Sequence, residues 1–77
     1  MKYRELTKRL EELGCEFVRQ AAGSHEIWWN PANKKFTVIP RHGGRDIPLG
    51  TIRAILRQLG IDPKDFYAPK KGRMRRS

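Results

Sequence analysis

Two histidines, His25 and His42, are the side chains of this sequence best suited to proton transfer near neutral pH, because the ordinary pKa of imidazole is ~6.5. His25 directly follows Gly23 and Ser24, a flexible turn where a phosphate can approach the backbone and Ser24 can donate a hydrogen bond. Cleavage of RNA without a metal needs a group that removes the 2′-hydroxyl proton and a donor for the leaving 5′-oxygen. His25 is therefore a candidate for this chemistry, and the alternative is a surface histidine at the start of a strand.

Basic side chains that could hold a phosphate lie in the strands and loops around these histidines. Their positive charge would also offset the negative charge that develops in the transition state. The segment 40–45 reads Pro-Arg-His-Gly-Gly-Arg and is typical of a turn that grips a phosphate, although composition alone favours a solvated basic loop. We predict that His42 and Arg45 position a phosphate and that neither transfers a proton. The predicted RNA-binding residues are Arg19, Ser24, Lys34, Lys35, Arg41, His42 and Arg45.

Other kinds of site find little support in the sequence. The acidic residues are scattered and suggest no glycosidase or metal site, and Gly43-Gly44 is too short for a nucleotide-binding glycine motif. We therefore expect no metal and no small-molecule cofactor. Trp28 and Trp29 are adjacent, so in a strand they face opposite sides of the sheet. One should lie in the core and the other could stack on a base, but the sequence leaves open which one, or whether both are core residues.

The composition favours nucleic acid as a partner. The 77 residues include 17 Lys and Arg against 8 Asp and Glu, which gives a net charge of +9. Such a charge attracts polyanions, with nucleic acid first and an anionic membrane or an acidic protein next. Cys15 is the only cysteine, which excludes an internal disulfide and favours a reducing compartment. No apolar run exceeds three residues, so we expect a soluble, cytoplasmic protein without a membrane span.

The elements that must position these side chains follow from hydrophobic periodicity. Apolar residues at helical spacing predict two amphipathic helices, and alternating or β-branched stretches predict three strands between them. The predicted elements are a helix over 2–13, strands over 15–20, 25–30 and 36–39, a helix over 49–59 and a short turn over 62–66. This order predicts an α+β two-layer sandwich, with both helices on one face of an antiparallel sheet and the other face, or the rim of the sheet, open for a ligand. We expect one domain over residues 1–67 and a basic, disordered tail over 68–77.

Several segments of the chain resemble a known family. They are residues 6–19, the triplet Gly23-Ser24-His25, the segment Pro40-Arg41-His42-Gly43 and the run Leu-Gly-Thr-Ile-Arg-Ala-Ile-Leu-Arg-Gln-Leu-Gly-Ile over 49–61. In this order and at this spacing they are similar to the HicA toxins of bacterial toxin–antitoxin pairs. The resemblance covers nearly all of residues 3–61.

The resemblance implies a fold like that of double-stranded-RNA-binding domains, α-β-β-β-α. It also implies an mRNA interferase, a metal-independent endoribonuclease that arrests translation and growth, with His25 as the catalytic histidine and a HicB-like antitoxin as its partner. Family members often carry a second histidine or a polar residue after that position. Here Glu26 follows, and we expect its charge to weaken the attraction of RNA locally. The alternatives are a non-catalytic RNA-binding module and an inactive toxin-like protein that only binds an antitoxin.

Overall fold

A computed structural model describes residues 1–41 and 43–68 of the chain. The elements are α1 (Tyr3–Glu12), β1 (Glu16–Gln20), β2 (His25–Asn30), β3 (Lys35–Pro40), α2 (Leu49–Leu59) and α3 (Pro63–Tyr67). The predicted α+β order is confirmed: β2 and α2 have the predicted bounds, and the ends of the other elements differ from the prediction by at most one residue. His42 and residues 69–77, which are nearly all of the predicted basic tail, lie outside the described residues.

The strands form one antiparallel sheet in the order β1-β2-β3, so β2 is the central strand. The register places three pairs of residues side by side on β2 and β3: His25 and Pro40, Ile27 and Val38, and Trp29 and Phe36. On the other side, β1 pairs with β2 through an irregularity between Phe17 and Arg19. Because side chains alternate across a strand, the odd-numbered residues of β2 face one side of the sheet and the even-numbered residues face the other.

The helices cover the side of the sheet reached by the even-numbered residues of β2. Trp28, on that side, is only 2% exposed and joins a core to which α1, α2, α3 and β3 also contribute. The core residues are Leu6, Leu10, Cys15, Trp28, Ile39, Ile47, Ile52, Ile55, Leu56, Leu59 and Phe66. His25 is exposed, and Ile27 and Trp29 are half-buried, on what we call the open face. Trp28 is therefore the core tryptophan, and Trp29 lies on the open face.

Hydrogen bonds from buried polar side chains fix α2 on the sheet. Thr37 donates from Oγ1 to Oε1 of Gln58 over 2.7 Å, which joins β3 to the helix. Asn30 donates from Nδ2 to the carbonyl oxygen of Leu59 over 2.8 Å, so it satisfies an acceptor at the end of α2. Both of these buried side chains thus have a partner, as burial requires.

The short helix α3 has a side-chain cap at its start. The carboxylate of Asp62 accepts a hydrogen bond from the backbone N–H of Lys64 over 2.9 Å, and Pro63 occupies the first helical position. Phe66 is buried, and Arg9 of α1 donates to its carbonyl oxygen over 3.2 Å, which ties α3 to the first helix. Within the two described ranges, no helix combines the length and the apolar character needed to cross a membrane.

Candidate active site

The Gly-Ser turn predicted before His25 is a tightly held loop between β1 and β2. Gly23 has a φ of +64°, a left-handed conformation that glycine adopts without steric penalty. The backbone N–H of Ala21 donates to the carbonyl oxygen of His25 over 2.8 Å, and the N–H of Arg41 donates to the carbonyl oxygen of Ser24 over 3.0 Å. The residues that follow β1 and β3 therefore hold the turn, which places Ser24 and His25 at one end of the sheet.

The imidazole of His25 is exposed and held by one hydrogen bond. Its Nδ1 atom lies 3.2 Å from the carbonyl oxygen of Ala22. A carbonyl oxygen can only accept a hydrogen bond, so in the neutral ring Nδ1 carries the proton and donates it to Ala22. The lone pair is then on Nε2, the atom that this contact leaves available. This arrangement gives His25 the tautomer and the access that a general base requires.

Glu26, next to His25 in sequence, points to the opposite side of the sheet and is only 5% exposed. Its Oε1 atom accepts hydrogen bonds from the hydroxyl of Tyr3 and, over 3.0 Å, from Nε1 of Trp28. Burial, together with the neighbouring Glu26 carboxylate, raises the pKa of Tyr3 to about 12. The carboxylate therefore lies on the helix-covered side of the sheet, bound by its neighbours, and does not face the side on which His25 lies. Its effect on the attraction of RNA stays a prediction.

Arg41 completes the cluster around Glu26. Its Nε atom lies 3.8 Å from Oε2 of Glu26, and its guanidinium carbon lies 5.1 Å from the centre of the Tyr3 ring. The side chain is still half-exposed. Arg41 directly follows Pro40, the residue paired with His25. Arg41, which was predicted to bind RNA, is thus anchored at the same end of the sheet as His25, on the helix-covered side of the sheet.

A positively charged pocket of about 420 Å³ lies at this end of the molecule, and only part of it was predicted from the sequence. It is lined by Lys2, Tyr3, Arg4, Arg41 and Gly44. Lys2 and Arg4 were missed because only the fold brings the start of α1 beside Arg41 and residues 43–47. The backbone contact responsible is the 2.8 Å hydrogen bond from the N–H of Ile47 to the carbonyl oxygen of Met1.

An ion pair reinforces this junction. Lys2 and the N-terminal amine lie 3.6 and 3.5 Å from the carboxylate of Asp46, and their charges lower its pKa, Lys2 most strongly. Arg45, a predicted RNA-binding residue, precedes Asp46 and is exposed. His42, the other predicted phosphate-positioning residue of this loop, lies outside the described residues.

The remaining predicted residues are further from His25. Arg19 pairs with Ile27 on the neighbouring strand, and its Nη1 donates to the carbonyl oxygen of Gln20 over 3.2 Å. Lys34 and Lys35 lie in and next to the β2–β3 turn, at the opposite end of the strands, where Lys35 pairs with Asn30. That position is five residues from His25 along β2, or roughly 17 Å. The structure therefore groups Ser24, His25 and Arg41, and it does not bring the two lysines to the histidine.

Comparisons with known proteins converge on one family. A family model described as the HicA toxin of bacterial toxin–antitoxin matches residues 3–61. A curated protein, "Probable mRNA interferase HicA" from Pseudomonas fluorescens (strain Pf0-1), is 38% identical over 61 residues. The match spans 79% of this chain and 97% of that protein. No solved structure matches the chain significantly.

Proposed function

The chain belongs to the HicA toxin family, and from that premise we propose that it is an endoribonuclease toxin that cleaves mRNA with His25 as its catalytic residue. The related Pseudomonas protein is named as a probable mRNA interferase. Cleavage of mRNA would arrest translation and growth, and its place would be the cytoplasm, where mRNA is translated.

The observation that carries this proposal is the hydrogen bond between Nδ1 of His25 and the Ala22 carbonyl. With Nδ1 protonated, Nε2 accepts the proton of a ribose 2′-hydroxyl. The 2′-oxygen then forms a bond to the adjacent phosphorus, the bond from phosphorus to the 5′-oxygen breaks, and that oxygen takes a proton from water. The hydroxide left by this water takes the proton from Nε2, which restores the neutral imidazole. The products are a 2′,3′-cyclic phosphate and a 5′-hydroxyl. The nucleophile and the leaving group of this reaction are both parts of the RNA, and the protein supplies the base.

The cations near this end of the sheet would hold the substrate. Arg41, Lys2 and Arg4 line one pocket, and Arg45 lies in the adjoining loop. Their charges can bind phosphates and offset negative charge on the phosphorane-like transition state. Glu26 contributes indirectly, because its buried carboxylate anchors Arg41 through their 3.8 Å ion pair.

We further propose an antitoxin partner of the HicB type that inhibits the enzyme by covering His25. The support is the family's description as part of toxin–antitoxin pairs and the net charge of +9, which favours an acidic partner. In a complex with such an antitoxin, residues 23–45 should be protected from hydrogen exchange. Protection confined to the helices would contradict this placement.

The experiment that tests the function is cleavage of RNA in the presence of a metal chelator, followed by analysis of the new ends. We expect cleavage that persists with chelator and fragments that carry 2′,3′-cyclic phosphates and 5′-hydroxyls. Ends with 3′-hydroxyls and 5′-phosphates, or complete loss of cleavage with chelator, would contradict the mechanism. RNA binding without cleavage would favour the non-catalytic module, and a protein that neither binds nor cleaves RNA would favour the inactive, antitoxin-binding alternative.

The second histidine provides a comparison within the same assay. His42 is predicted to position a phosphate, so His42→Ala should weaken RNA binding and lower cleavage at limiting RNA, with turnover at saturating RNA less affected. A His42→Ala protein that binds RNA normally and fails at saturation would instead assign His42 to the chemical step.

A further inference from the structure

The open face of the sheet carries exposed apolar side chains that the core does not need. Phe36 and Val38 on β3 are 55% and 48% exposed, whereas the core lies on the helix-covered side. Phe36 packs beside Trp29 of β2, with their ring centres 4.7 Å apart and their planes inclined by 38°. The two rings form an aromatic surface, which we call the Trp29–Phe36 platform. Leaving large aromatic area in water has no stabilising effect, so a role in binding accounts for it better.

The platform is continuous with the candidate active site. His25, Ile27 and Trp29 are the alternate residues of β2 that face the open side, so the histidine and the tryptophan belong to one row. Trp29 is four residues from His25, roughly 14 Å along the strand. A single polymer chain bound at His25 can therefore extend across the sheet to the platform.

Charged side chains border this row on both sides, and one of them on β1, Glu16, is acidic and pairs with Trp29. Arg19 of β1 lies opposite Ile27 and lines a shallow depression of about 390 Å³ together with Phe36 and Val38. Lys34 lies in the turn two residues before Phe36, whereas Lys35 pairs with Asn30 and so faces the helix-covered side. Aromatic rings flanked by cations are the arrangement that binds single-stranded nucleic acid, because bases stack on the rings while phosphates contact the charges.

We propose that the Trp29–Phe36 platform is a nucleobase-binding site, on which an unpaired base of the RNA substrate stacks a few nucleotides from the bond cleaved at His25. This inference rests on the proposed function, since RNA is the ligand. Single-stranded RNA fits the surface better than an apolar protein segment does, because the cations Arg19 and Lys34 lie near the rings and outnumber the carboxylate of Glu16 there. The site also gives Lys34 a phosphate to contact, although this residue lies far from His25.

The test is the affinity for an oligonucleotide that binds and is not cut. A 2′-O-methyl RNA of mixed sequence lacks the 2′-hydroxyl nucleophile, so its binding does not depend on catalysis. Base stacking on an aromatic side chain typically changes affinity by about 5- to 150-fold when the ring is removed. Phe36→Ala should weaken binding of this oligonucleotide within that range. For an abasic oligonucleotide of the same backbone and length, wild type and Phe36→Ala should bind alike, because phosphate contacts are unchanged.

Phe17 provides a matched control. It is also a phenylalanine of the sheet and is 49% exposed, but it packs against Trp28, whose side chain lies on the helix-covered side. Phe17→Ala should leave affinity for the 2′-O-methyl RNA within about twofold of wild type, as for a surface substitution away from a site. Phe36→Leu, which keeps apolar area and removes the ring, should also weaken binding. Circular dichroism should show all three variants folded.

Two results would overturn the inference. In the first, Phe36→Ala binds the 2′-O-methyl RNA as tightly as Phe17→Ala does. This result would favour a protein partner, in place of RNA, as the ligand of the platform. The other is an equal loss of affinity for the abasic oligonucleotide, which would show that no base is bound there. Neither result bears on the chemistry at His25, because cleavage is measured separately on ordinary RNA. A protein that binds and never cuts could still have the platform, so the two proposals fail independently.

Discussion

Replacing the buried Glu26 with alanine should destabilise the domain by about 2–5 kcal/mol, although the residue is next to an exposed histidine in sequence. The largest contribution comes from Trp28, which is 2% exposed and donates its indole N–H to Glu26 over 3.0 Å. A buried donor left without an acceptor costs about 1–3 kcal/mol. The lost hydrogen bond from the Tyr3 hydroxyl adds roughly 0.5–1.5 kcal/mol.

The ion pair with Arg41 contributes less to this sum. Arg41 is half-exposed and its Nε lies 3.8 Å from Glu26, so water screens the pair and limits its contribution to about 0–1 kcal/mol. A domain of 77 residues has a total stability of roughly 4–12 kcal/mol. The Glu26→Ala variant should thus lose a large fraction of its free energy of unfolding, and Arg41 should lose its anchor.

The measurement is urea unfolding followed by circular dichroism. Glu16→Ala is the matched control, because Glu16 is an exposed glutamate on the edge strand β1; its free energy of unfolding should stay within about 0.5 kcal/mol of wild type. Glu26→Gln keeps the volume and an acceptor for Trp28, so it should lie between wild type and Glu26→Ala. If Glu26→Ala is as stable as Glu16→Ala, the carboxylate does not hold this cluster together.

Three further changes test other parts of the structure. Gly60 has a φ of +69°, and a Cβ there would lie within 2.3 Å of the side-chain amide of Asn33. Gly60→Ala should therefore lower the free energy of unfolding by about 1–3 kcal/mol. Gly50→Ala in α2 is the control and should be neutral or stabilising by up to about 1 kcal/mol. Equal melting curves for these two variants would refute that account. The pKa of Tyr3 is raised from its ordinary 10.0 to about 12, so the stability contributed by its neutral form is present below pH 10 and is lost as the pH rises toward 12. Tyr3→Phe should therefore lose less stability over this pH interval, and unfolding free energies that fall in parallel with pH would contradict the assignment. Arg4→Ala should flatten the dependence of log RNA affinity on log salt by about 0.7 if Arg4 binds one phosphate, and an unchanged slope would remove it from the interface.

The local pattern of the sequence was enough to predict the elements, because each depends on periodicity within a few residues. The alternation over residues 25–30 placed His25 and Trp29 on one face and Glu26 and Trp28 on the other. It could not show which face the helices cover, since that depends on how α1 and α2 pack in three dimensions. In the structure, Trp28 lies in the core, so the helices cover the face of the even-numbered residues of β2. Glu26 is buried because it lies on that same face.

The candidate site could be predicted only where its members are close in sequence. The Gly-Ser turn and His25 are contiguous, and β3 returns Arg41 to them through simple antiparallel pairing. Lys2 and Arg4 reach the same end through contacts of the start of α1 with Arg41 and residues 43–47, and no local pattern indicates such contacts. Lys34 and Lys35 are close to His25 in sequence but far from it in the structure. They lie at the turn of the β2–β3 hairpin, and His25 lies at the other end of β2, a whole strand length away.

The most direct test of the central claim is the single-turnover rate constant for cleavage of an RNA by wild type and by His25→Ala at saturating protein. Loss of a general base should lower this rate constant by ~10²–10⁴-fold. The affinity for uncleavable 2′-O-methyl RNA should stay nearly unchanged, because His25 is an exposed side chain with one hydrogen bond to the local turn. A His25→Ala protein that cuts RNA within a few-fold of the wild-type rate would contradict the account.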